Sequence, residues 1–101
     1  MYLVQLLLPL YDNDKQLFGR ERFARVREEL TAQFGGVTAF VRSPAVGLWR
    51  DDEDITRDDV VMFEVMSDEL DQAWWGRYRH KLEAEFKQEE LVVRALLVTR
   101  L

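Results

Sequence analysis

Three segments of this chain are apolar at almost every position, and each is broken by one polar residue near its middle. Residues 2–10 (YLVQLLLPL) are broken by Gln5, residues 59–66 (DVVMFEVM) by Glu64, and residues 90–99 (ELVVRALLVT) by Arg94. A strand exposed on one face alternates apolar and polar residues, whereas a strand covered on both faces does not. These runs therefore predict strands of a sheet with little face left for water. A fourth extended segment, 37–50 (VTAFVRSPAVGLWR), carries Arg42 in the comparable place. Pro44 and Gly47 interrupt it, and proline cannot donate to a ladder, so it reads as a bulged edge strand.

Two helices separate the strands. In the first, about 18–34, Phe23, Val26, Leu30 and Phe34 form one stripe at steps of 3, 4 and 4 residues. Gly35-Gly36 ends it, because glycine accepts the left-handed conformation at a helix C-terminus. The second, about 68–87, is expected to be capped by Ser67 or Asp68, with Glu69 and Asp71 in its first turn. Leu70, Trp74, Trp75, Tyr78, Leu82 and Phe86 make its apolar face. The order β-α-β-β-α-β predicts a ferredoxin-like α+β fold: a four-stranded antiparallel sheet in spatial order 4-1-3-2 with both helices on one face. The 101 residues provide for one such domain, 1–101.

Composition removes several kinds of chemistry. There is no cysteine, hence no disulfide, thiolate metal site or cysteine nucleophile. The lone histidine, His80, falls opposite the apolar stripe of its helix and has no second histidine to share a metal. No cofactor is expected. Arg20, Arg22, Arg25 and Arg27 lie on the first helix, but Glu28 and Glu29 follow them closely. The chain carries a net charge of -5, and its first strand lacks the aromatics of an RNA-binding sheet. Nucleic acid is therefore not an expected partner. The acidic stretch 51–59 has six carboxylates without the spacing or glycine of an EF-hand, and reads as a solvated hairpin tip. No run approaches the ~20 apolar residues that span a bilayer, and MYLVQLLLPL lacks the basic start and small-residue cleavage site of a secretion signal. A cytoplasmic protein with no membrane contact is the expectation.

Two helices leave the other sheet face bare. If Gln5, Glu64 and Arg94 mark that face, their neighbours on it are Leu3, Leu7, Val60, Met62, Met66, Val92, Leu96 and Val98. So much apolar surface exceeds what a soluble monomer tolerates. A second copy of the chain is the simplest cover, which predicts a homodimer of face-to-face sheets, a dimeric α+β barrel. Within it the four polar residues would form a row: Arg94, Gln5, Glu64, Arg42. An unpaired buried charge costs several kcal/mol, so the row must be paired or solvated. One reading is a structural ion-pair network that sets the register of the dimer. The other is a pocket for a small polar or anionic molecule; Trp49, on the edge strand beside the hairpin, is a further candidate there, set to cover the mouth of the sheet or the dimer seam. A related alternative is a cofactor-free enzyme of the monooxygenase or isomerase kind, with Glu64 as base beside Arg94. A purely structural assembly subunit is the third.

The segments GGVT (35–38), GLWRDD (47–52) and FKQEELVVRAL (86–96) resemble a pattern in small bacterial proteins. These have a Gly-Gly-x-Thr turn, a Gly-Leu-Trp-x-Asp edge strand and Phe-x-Gln-Glu before the last strand. The resemblance, over about 35–96, implies the ferredoxin-like or dimeric α+β barrel group and carries no activity with it. It nominates Trp49, Arg50, Gln88 and Glu89. Against that, Gly35-Gly36 suffices as a helix cap, and Gln88-Glu89 as partners for backbone groups where the last strand begins.

Overall fold

In β1 (Tyr2–Pro9) the even-numbered residues Val4, Leu6 and Leu8 are buried, while the odd-numbered ones are only half-buried. That alternation decides which side of the sheet the helices take. The computed structural model describes residues 1–42 and 60–101, with the backbone alone for 40–42. After β1 come α1 (Arg20–Phe34), β2 (Thr38–Arg42), β3 (Val60–Ser67), α2 (Gln72–Glu85) and β4 (Val92–Leu97). The sheet order is β2-β3-β1-β4, all neighbours antiparallel, which is the expected 4-1-3-2 order read from the other edge. The two most apolar strands, β1 and β3, are central.

The core forms between the sheet and the helices. Val4, Leu6 and Leu8 of β1 and Val61, Phe63 and Val65 of β3 cluster with Val26 and Leu30 of α1. Trp75, Tyr78 and Leu82 of α2, with Phe86 and Leu91, complete the cluster. Phe23 and Phe34, the outer members of the α1 stripe, pack against it half-buried. Aromatic contacts join the helices, Phe34 stacking on Trp75 with centroids 5.2 Å apart and meeting Trp74 edge-on at 5.2 Å, while within α2 Trp74 stacks on Tyr78 at 4.9 Å. Both tryptophans of the pair therefore serve packing, as their helical spacing predicts.

The helix ends differ from expectation at one point. Gly35 caps α1 at φ 85°, its N–H donating to the Thr31 carbonyl at 2.7 Å, as the Gly-Gly pair predicts. The second helix begins later than expected, at Gln72, and its N-cap is Asp71 rather than Ser67 or Asp68. The Asp71 carboxylate accepts the Trp74 N–H at 3.0 Å. Ser67 is instead the last residue of β3, and its hydroxyl donates to the Glu69 carbonyl. Leu70 thus precedes the cap and packs on the core from outside the helix, five positions ahead of Trp75, the fourth helical residue. That is the arrangement of a hydrophobic staple. The local cause is that Ser67, Asp68 and Asp71 are all cap-forming residue types, and the packing of Leu70 against the core goes with the last of them.

Candidate functional site

Gln5, Glu64 and Arg94 come together on the sheet face opposite the helices. Pairing sets Gln5 against Glu64 across β1–β3 and against Arg94 across β1–β4. Residues directly opposite in an antiparallel pair share a face and lie within side-chain reach. The Gln5 amide uses both of its ends: its Nε2 donates to Glu64 Oε2 at 2.7 Å, and its Oε1 accepts from Arg94 Nε at 2.7 Å. A neutral amide so bridges a guanidinium and a carboxylate over three strands. Both bonds involve an ionised partner, which makes them the stronger kind. Gln5 and Glu64 are half-buried and Arg94 is exposed.

The fourth member of the expected row is elsewhere. Thr38, not Arg42, stands opposite Glu64, and Arg42 pairs along the backbone with Val60. The β2–β3 register is therefore four residues away from one that sets Arg42 against Glu64, and the expected row does not extend to Arg42. An even shift keeps every side chain on its face, so the alternation pattern carries no signal of it. Trp49, Arg50 and the acidic stretch 51–59 lie outside the described residues.

Beside Glu64 the surface opens into a cleft of about 330 Å³. Leu3, Phe34, Val37, Thr38, Glu64 and Met66 are among its lining residues. It lies where the chain leaves α1 and starts β2, so the Gly-Gly turn helps to shape it. Most of its lining residues are apolar, and Glu64 and Thr38 are the polar ones. Among the described residues, no group of three or more His, Asp or Glu side chains could hold a metal ion. No described helix is long and apolar enough to cross a membrane.

On this open face Met66 is 57% exposed, Val92 50% and Leu96 46%, whereas Met62 is buried. The apolar surface expected there is present at its Met66–Leu96 end. On the helical side, two polar clusters escaped the reading of the sequence. Glu83 is buried, and its Oε2 accepts the Leu91 N–H at 2.9 Å. Arg79 Nη1 approaches the same oxygen at 3.5 Å, and His80 Nδ1 lies 3.3 Å from Oε1. Glu83 thereby does the work assigned to Gln88-Glu89: it satisfies the amide just ahead of β4, while Gln88 Nε2 donates to the Phe86 carbonyl at 3.1 Å. Its position on α2 resembles that of any solvent-facing acid, so spacing gives no sign of this role. The second cluster joins the helices. The Tyr78 hydroxyl donates to Glu29 Oε1 at 2.9 Å, and Lys81 pairs with the other oxygen of Glu29. Burial, and then the Glu29 carboxylate, push the Tyr78 phenol well above its ordinary value. Both clusters are structural fastenings.

The element order, the antiparallel sheet and the one-sided helical cover define a ferredoxin-like α+β domain. Comparison with protein-family models finds no match, and neither does comparison with curated proteins. Among solved structures, a phage SAM lyase in complex with S-methyl-5′-thioadenosine has the same fold. It matches with a TM-score of 0.61 and 14% identity, over 94% of this chain and 79% of that one. At that identity the likeness speaks for the fold alone.

Proposed function

We propose that this chain is a cytoplasmic homodimer that binds a small uncharged molecule on the open face of its sheet. The observation that carries the reading is the position of Glu64, which is held by Gln5 at 2.7 Å and also lines the cleft. A carboxylate oriented by one hydrogen bond keeps acceptor capacity for a second donor. The ligand class follows from the lining. An apolar body suits Leu3, Phe34, Val37 and Met66, and an N–H or O–H group suits Glu64 and Thr38. An anion, one of the two classes expected from sequence, would meet the Glu64 carboxylate, and no described cationic residue is in the lining. A neutral polar ligand is therefore favoured over an anionic one. The apolar face supports self-association: Met66, Val92 and Leu96 are about half exposed, and soluble monomers rarely leave a large patch of that kind in water.

The test is a thermal-shift screen of neutral nucleosides, amides and thioethers, with S-methyl-5′-thioadenosine included as a probe. A ligand at about 100 times its Kd adds roughly 2.7 kcal/mol of stability, an easily read rise in Tm. At least one member should give that rise, and Glu64→Ala should abolish it. A screen without a binder, or binding indifferent to Glu64→Ala and Met66→Ala, overturns the ligand reading. Light scattering that reports the monomer mass at micromolar concentration overturns the homodimer.

A further inference from the structure

The open face carries a charge pattern that selects one way for two copies to meet. Arg94, Gln5 and Glu64 form a line across β4, β1 and β3, with a cation at one end and an anion at the other. Two residues along, Leu96, Leu3 and Met66 form a parallel line whose two ends are the exposed Leu96 and Met66. Sheets that pack face to face lie about 10 Å apart with their strands within about 30° of parallel. A two-fold axis between such sheets has two simple placements. Along β1, through Gln5, it lays β4 of one copy over β3 of the other and each line over itself. Arg94 then meets the partner's Glu64, and Leu96 meets the partner's Met66, each contact occurring twice. Across the strands, it lays Arg94 over the partner's Arg94 and Glu64 over the partner's Glu64. Juxtaposed like charges at an interface cost several kcal/mol.

We infer that this chain pairs with a second copy about a two-fold axis running along β1 at Gln5, so that the partner's Leu96 completes the cleft beside Glu64 and the partner's Arg94 takes one of the carboxylate's remaining acceptor positions, which leaves the site without net charge and with room for a neutral donor. The inference rests on the homodimer proposed above and adds its geometry. Met66 and Glu64 both line the cleft, so the partner's Leu96 becomes its outer wall. The two Arg94–Gln5–Glu64 relays join end to end into a closed ring of alternating charge.

The chain has no cysteine, so single cysteines report contacts without background. Leu96→Cys and Met66→Cys chains are prepared separately, mixed, and treated with a short bifunctional thiol reagent. Cross-linked dimer is expected in that mixture and not with either chain alone. Cross-linking of Leu96→Cys with Val92→Cys, the pair that the other axis brings together, overturns the geometry. Charge reversal gives an independent reading by light scattering. Arg94→Glu should weaken the dimer about tenfold or more, and Arg94→Glu with Glu64→Arg should restore it. An unchanged dimer in Arg94→Glu overturns the inferred axis and leaves self-association standing. A monomeric wild-type chain overturns both.

Discussion

Replacing Glu83 with alanine removes the carboxylate that accepts the Leu91 N–H, at the point where the chain turns from α2 into β4. Leu91 is 5% exposed and Glu83 9%, so water does not readily take the carboxylate's place. A hydrogen bond to a charged acceptor contributes about 1.5–3 kcal/mol. The Arg79 and His80 contacts add little, because their side chains are 34% and 74% exposed and exposed ion pairs contribute roughly 0–1 kcal/mol. The expected loss is therefore about 2 kcal/mol, or roughly 10 °C in Tm for a domain of this size. Urea unfolding should show a lower midpoint with an unchanged slope, since the surface exposed on unfolding stays the same. Glu83→Gln keeps a carbonyl acceptor and should recover a large part of the loss. Amide exchange at Leu91 should accelerate in Glu83→Ala, beyond what the global destabilisation accounts for. A change within about 0.5 kcal/mol for Glu83→Ala, the usual range for surface sites, refutes the reasoning. So does a Glu83→Gln variant as unstable as the alanine variant.

Tyr78 makes the stability of the fold depend on alkaline pH. Its phenol is raised in the folded chain, above the unfolded value of about 10, so the folded state holds the proton after the unfolded state has lost it. The contribution is complete below about pH 10 and declines as pH rises beyond it; urea midpoints measured across that range should fall, and Tyr78→Phe should remove the Tyr78 part of the slope. The same substitution should cost about 1 kcal/mol near neutrality through loss of the bond to Glu29. At Gly35, an added Cβ would meet nothing within 4 Å, so Gly35→Ala isolates the backbone conformation at φ 85°. It should destabilise by about 1–2 kcal/mol in chemical denaturation, whereas Gly36→Ala, also in open space and without a positive φ, should change little.

Residues that act through spacing were legible before any coordinates. Val26 and Leu30 reveal the buried stripe of α1, Gly35 its end, and Trp75, Tyr78 and Leu82 the inward face of α2. Gln5, Glu64 and Arg94 stood out because a polar residue within an apolar strand needs a partner. Their joint hydrogen-bond relay follows once strands 4, 1 and 3 are neighbours. The second helix cap was not legible, since Ser67, Asp68 and Asp71 are all cap-forming types and the packing of Leu70 on the core is a tertiary contact. Glu83 was hidden because it answers a need of the backbone at Leu91, and a backbone N–H leaves no mark in a sequence. The cleft was equally hidden: it depends on how Phe34 and Val37 come to lie beside Met66.

The amino-acid sequence determines the alternation of elements, the central place of the apolar strands and the excess of apolar surface beyond one helical layer. Periodicity and turn chemistry are local, and the chain writes them out residue by residue. Register is not local. The position of Thr38, rather than Arg42, opposite Glu64 differs from the expected pairing by an even number of residues, and an even shift preserves every inward and outward side chain. Only the tertiary structure decides it, because only the packed sheet distinguishes two alignments with the same alternation. That alignment leaves a cleft beside Glu64 instead of setting a second arginine against it.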